Sequence, residues 1–230
     1  MRIPSCRSRP LEAAAALFIK DLRVEFRSLM SWGLLAASAA GITIATSFAF
    51  GGILPDPLTA AALLWIIVLL VAMTGLPQTF VREQEQGTAW TVRLWADPAP
   101  VLAAKLGLNF LLLLGLAALV VSLYGLLFNL PLAAPAALAG SVLGGCAALA
   151  GSGTLLAAIA AGTGARGLLL PLLAIPLQLP SLAAAVQSTA MAITGEGGAT
   201  LRAALVLLAA QTAVSGLMSF MLFRYIWDEG

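Results

Sequence analysis

Paired carboxylates, the usual tools of general acid–base work, stand close together in this chain only at Glu83/Glu85 and Asp228/Glu229. Both pairs lie in stretches polar enough to face water, where nothing desolvates a carboxyl into a general acid. The sequence has no histidine, which removes the HExxH zinc site, the histidine triad and the imidazole ligand for haem iron. Lys20 and Lys105 are the only lysines and neither follows a glycine-rich loop, so the chain has no P-loop with which to hydrolyse ATP. Cys6 and Cys146 are far apart and belong to no CxxC pair; both read as free thiols, with no disulfide and no zinc site. Catalysis by this chain is not expected.

The elements that carry these residues belong in a bilayer. Of the 230 residues, 61% are hydrophobic and 10% charged; soluble domains carry roughly 45–50% and about 25%. Charge-free runs extend over Ser28–Pro55, Pro57–Val81, Leu106–Ala165, Gly167–Gly195 and Ala203–Phe223. A span needs about 20 apolar residues, so the run from Leu106 must hold two, with Asn129-Leu130-Pro131-Leu132-Ala133-Ala134-Pro135 as the turn between them. Backbone amides in lipid must bond internally, which makes these spans helices. The expected fold is an all-α membrane protein, a single domain over 1–230 with six transmembrane helices at about 31–50, 58–80, 106–128, 136–161, 168–192 and 201–223.

With both termini in the cytoplasm, the inner segments hold Arg2, Arg7, Arg9, Lys20, Arg23, Arg27, Arg82, Arg93, Lys105, Arg166 and Arg224, and the outer ones only Arg202. This positive-inside bias sets the orientation. Before the first span, residues 11–29 form an amphipathic helix with Leu11, Ala15, Phe18, Leu22, Phe26 and Leu29 on one face and Lys20, Arg23 and Arg27 on another. Such a helix lies in the interface, as an anchor or as an elbow that buttresses a moving bundle. The first span carries Gly33, Ala37, Gly41, Ala45 and Ala49 at every fourth position, and the fourth carries Gly140, Gly144, Ala148 and Ser152. Both rows permit close helix contact, within the chain or at a homodimer seam. Pro171, Pro176 and Pro180 favour a kink in the fifth span.

No ionisable side chain is expected in mid-span, which disfavours an ion-coupled carrier. The polar residues there are Gln78, Asn109, Gln178, Gln187 and Gln211, suited to interhelical hydrogen bonds. No basic stripe interleaved with aromatics offers a nucleic-acid surface. The longest inner loop, 82–105, begins Arg82-Glu83-Gln84-Glu85-Gln86-Gly87 and continues through Trp90 and Trp95 to the Pro98/Pro100 pair, which should end a short interfacial helix. A soluble partner from the cytoplasm would dock there.

The order of these parts, from Lys20-Asp21-Leu22-Arg23-Val24-Glu25-Phe26-Arg27 through two spans to Phe80-Val81-Arg82-Glu83-Gln84-Glu85-Gln86-Gly87 and Lys105, resembles the membrane subunit of ABC-2-type transporters. Within that group the chain looks most like CcmB, the haem exporter permease of cytochrome c maturation. Gly162-Thr163-Gly164-Ala165-Arg166-Gly167 and the leucine- and proline-rich stretch after it fit the same family, and the likeness covers about 11–223. The resemblance implies an inner-membrane permease with haem as cargo of the complex and no cofactor of its own. It implies a CcmA-like ATPase subunit contacting Arg82, Glu83, Gln84, Glu85, Gln86 and Gly87 on a coupling loop, CcmC-like and CcmD-like membrane subunits, and a CcmE-like periplasmic haem chaperone. Trp90 stands where the family usually has an acidic residue, so no role is carried to it. Two other readings fit: an ABC-2 permease for a drug, lipid or polysaccharide, and a membrane assembly scaffold that moves nothing.

The orientation is testable by thiol labelling. In a background lacking Cys6 and Cys146, Glu83→Cys or Arg93→Cys should react with a membrane-impermeant maleimide only after permeabilisation; reaction in spheroplasts would reverse the topology.

Overall fold

Prolines begin four of the seven helices among the described residues in the computed structural model of the chain. The structure describes residues 10–27, 29–75, 98–131, 133–162 and 166–229, with the side chains of 10, 11, 26–31, 158–174 and 224–229 left out. Within these, every element is helical: α1 (Pro10–Arg27), α2 (Leu29–Ala49), α3 (Pro57–Gly75), α4 (Pro98–Phe128), α5 (Pro135–Gly162), α6 (Arg166–Thr194) and α7 (Ala199–Glu229). A proline at a helix's first position loses nothing, because the amide it lacks would have had no partner there.

The turns show why the helices stop. At the end of α2, Gly52 N–H donates to the Ser47 carbonyl at 2.9 Å and Gly51 N–H to that of Phe48 at 3.1 Å. Gly51 and Gly52 take φ of 62° and 72°, so this is a Schellman closure that suits glycine. Asp56 then caps α3 by accepting from Thr59 N–H at 3.0 Å. After α4, Asn129 takes φ 53°, which asparagine tolerates better than most residues. The expected turn between the third and fourth spans thus falls between Phe128 and Pro135.

The protein is an all-α, multi-pass membrane protein. Among the described residues, α2, α3, α4, α5 and α7 are long and apolar enough to cross a bilayer. The fifth expected span, 168–192, falls within α6, whose 29 residues reach about 43 Å, more than the ~30 Å core. The helix continues through Pro171, Pro176 and Pro180.

Two boundaries differ from expectation. The third span starts at Pro98 rather than about Leu106, so residues 98–105 of the expected loop are helix, and the Pro98/Pro100 pair opens that helix. The amphipathic segment ends at Arg27, and Leu29 already belongs to α2.

Helix α5 is the centre of the packing, meeting α6 and α7 most extensively and α4 on another side. Residues 151–157 of α5 are all buried. Its small residues let bulkier ones in. Trp65 of α3, fully buried, lies directly against Gly145, and its indole N–H donates to Thr189 Oγ1 of α6 at 2.9 Å. On the α7 side, Gly144 meets Leu208, Gly151 meets Ser215, and Ser219 Oγ donates to the Gly151 carbonyl at 3.2 Å. The small-residue row of the fourth span therefore serves contact within the chain. The row on α2 does not: Gly33, Ala37, Gly41, Ala45 and Ala49 are exposed, and nothing lies within 4 Å of where a Cβ would stand on Gly33 or Gly41. For that helix the expectation of internal packing is overturned, because its buried face is Ala39, Thr43 and Ser47.

A Cβ at position 145 would overlap the Trp65 ring. Gly145→Ala should therefore lower stability by about 1–3 kcal/mol, read as thermal unfolding in detergent. Trp65→Leu in the same chain should recover part of that loss, since touching residues do not behave additively.

Candidate functional site

Residues 76–97 join α3 to α4, and α1 and the start of α2 pack against those two helices. Leu35, early in α2, touches Gly75 at the end of α3, with 3.0 Å from its Cδ1 to the site of a Cβ there. The Trp32 ring stands against Gly115 of α4, and the Phe18 ring of α1 stands 3.4 Å from where a Cβ would be on Gly107. The start of α2 thus meets the end of α3 and the middle of α4, while α1 packs on the first third of α4, at the end of the bundle where that helix begins. The link from Gly75 to Pro98 connects α3 to α4. Arg82, Glu83, Gln84, Glu85, Gln86 and Gly87 lie on that link, outside the described residues.

Charge is buried at the same end, which the sequence reading missed. Lys105, expected at the edge of a loop, sits seven residues inside α4 and is 3% exposed. Its Nζ lies 3.2 Å from Asp21 Oδ2 of α1, and Lys20 Nζ lies 3.0 Å from Asp21 Oδ1. Glu25, one turn along α1, is buried too. The face that α1 turns to the bundle therefore carries Phe18, Asp21 and Glu25, while Ile19 and Val24 are exposed. The signal was available: residues 18, 21 and 25 share one side of a helix. Apolar content alone pointed to a different face.

One turn beyond Lys105, Asn109 is fully buried and its Nδ2 donates to Thr154 Oγ1 of α5 at 2.8 Å. Thr154 in turn donates to the Ala150 carbonyl at 2.6 Å. Of the amide side chains expected to bond between helices, Asn109 does so and Gln187 is exposed. Gln178 is fully buried, with neither amide atom hydrogen-bonded among the described residues, and Gln78 lies outside them.

Two voids lie among the described residues. An apolar niche of about 30 Å³ between α2, α3 and α4, lined by Trp32, Val71 and Leu112 among others, has about the volume of one water. At the opposite end, a cleft of about 270 Å³ between the start of α3 and the end of α6 is edged by Asp56, Gln187, Met191 and Glu196. The Asp56 carboxyl is held below its ordinary pKa by hydrogen bonds from Thr59, the side chain first and the backbone second. It therefore stays charged, and caps α3, to lower pH than an isolated aspartate. Among the described residues no three His, Cys, Asp or Glu side chains group as metal ligands.

Comparison with known proteins agrees with this architecture. The family described as CcmB protein matches residues 12–223. Heme exporter protein B of Paracoccus denitrificans is 34% identical over 202 residues, covering 86% of this chain and 90% of that one. The protein of the same name from Rhodobacter capsulatus is 31% identical over 204 residues (87% and 91%), and that from Bradyrhizobium diazoefficiens 29% over 190 (80% and 84%). No solved structure gives a significant match. A match that runs from within α1 into α7 takes in every span of the bundle, and the chain belongs to the CcmB family.

Proposed function

We propose that this protein is the permease subunit of an ABC-type complex of cytochrome c maturation, in the bacterial inner membrane with both termini in the cytoplasm. As a CcmB-family protein it is a membrane subunit of a haem-export system. A partner subunit hydrolyses ATP, and this chain couples that hydrolysis to haem delivery or to release of the haem-loaded periplasmic chaperone. CcmA-like, CcmC-like, CcmD-like and CcmE-like proteins are the expected partners, and haem is cargo rather than a resident cofactor. The observation that supports the reading is the CcmB-family match over residues 12–223, which takes in the Arg82–Gly87 segment between the second and third spans. That segment is acidic, ends in glycine and belongs to a chain with no P-loop of its own. A soluble motor gripping it would push on several helices at once.

The permease contributes no bond-making chemistry in this scheme. Its part is mechanical: the bundle holds the membrane seal while the helices meeting at the gripped end shift against their neighbours. Such a shift acts only if the soluble subunit binds one arrangement of the bundle better than another.

Reversing charge at Glu83→Lys and Glu85→Lys together should reduce ATPase-subunit recovery with the tagged permease by about tenfold, as expected for removal of charge pairs at a contact. Recovery equal to wild type would overturn the assignment of the docking face.

A further inference from the structure

The ion pair between α1 and α4 has no part in sealing the membrane or in docking as described so far, yet it is placed where force would enter. Lys105 Nζ and Asp21 Oδ2 are 3.2 Å apart, and both side chains are nearly excluded from solvent, at 4% and 8%. Lys105 lies about 10 Å along the axis from the start of α4, at the foot of the helix that follows the Arg82–Gly87 link. One turn further along α4, Asn109 is tied to Thr154 of α5. Two polar contacts a single turn apart thus fasten the base of α4 to α1 on one side and α5 on another. Between them, the Phe18 ring of α1 packs on Gly107.

Apolar packing alone would let α1 slip, because dispersion contacts are non-directional and re-form after a small displacement. A buried ion pair behaves otherwise. Parting Lys105 from Asp21 gives up a charge-assisted contact in a poorly polarisable surrounding, where it is worth more than in water, so the two helices keep their register. We infer that Asp21 and Lys105 are positioning residues: they clamp α1 to the base of α4, so that displacement of the foot of α4 by the ATPase subunit carries α1 and α5 with it. Without the clamp, the first turns of α4 would absorb the displacement and ATP hydrolysis would proceed without output. This inference rests on the docking role proposed for Arg82–Gly87.

The test uses the whole complex, purified from native membranes, with three readouts: ATPase-subunit recovery, ATP hydrolysis rate, and covalent haem–cytochrome c formed in the same cells. Asp21→Asn and Lys105→Met should leave recovery and hydrolysis within about twofold of wild type and lower cytochrome c by about tenfold, the pattern of a lost coupling interaction. The exchange Asp21→Lys with Lys105→Asp should bring output back to within about threefold, as a restored pair requires. Wild-type output from either single variant, or an exchange no better than the singles, overturns the clamp. So does loss of the ATPase subunit from the singles, because the pair would then build the docking face rather than transmit from it. If the neutral variants fail to accumulate, Asp21→Glu and Lys105→Arg keep the charges and shift the geometry. At normal abundance they should give reduced output, and full output overturns the inference. Failure of the docking reading is a separate result: undiminished ATPase recovery with Glu83→Lys/Glu85→Lys.

Discussion

Inside a bilayer a polar side chain finds no water, and the arrangement of this bundle follows from how each such group is answered. Backbone amides are answered by the helices themselves. Most hydroxyls bonded on the described spans turn back on their own helix, as Thr43 does to the Ala39 carbonyl at 2.7 Å and Ser152 to that of Ala148 at 3.0 Å, while Ser219 of α7 reaches the Gly151 carbonyl of α5. Groups too long or too charged for that must reach a neighbour. The Trp65 indole reaches Thr189, the Asn109 amide reaches Thr154, and the Lys105 ammonium reaches Asp21. These three contacts join α3 to α6, α4 to α5 and α1 to α4. Each is directional, so each restricts the rotation of the helices it links about their axes more than apolar contact does.

The second condition is closeness. Lipid tails are as apolar as leucine, so helices in a membrane gain little by hiding apolar surface and hold together through packing. On α5 a side chain in place of Gly145 or Gly151 would displace Trp65 or Ser215. The row on α2 has the same spacing and faces outward. Spacing marks a surface able to make close contact; which helix meets it depends on how the chain turns between spans.

Much of the fold was legible along the chain. Charge-free runs coincide with the five described helices long and apolar enough to cross a bilayer, the Asn129–Pro135 stretch holds a turn, and Pro57 and Pro135 open helices at the starts of two of the expected spans. Pro98 followed the same rule, but its place at the end of a charged, tryptophan-bearing loop made it read as a stop. The site was legible only in part. Arg82–Gly87 stood out because acidic residues and a glycine are conspicuous between apolar runs, but the buried charges nearby did not. Asp21 and Lys105 each looked like an ordinary loop or interface residue, because a charge beside a water-facing segment is usually solvated.

Composition, neutral run lengths and the distribution of basic residues are local or summed properties, so the sequence by itself determined that this is a helical protein threaded repeatedly through lipid. Which face each helix turns inward was decided by the tertiary structure, because it depends on groups far apart in the chain that meet only when the bundle closes. Asp21 turns inward because Lys105 is there to receive it, and Gly145 must be glycine because Trp65 arrives from α3. Periodicity along a helix shows that it has two sides. Only the partner's chemistry selects between them.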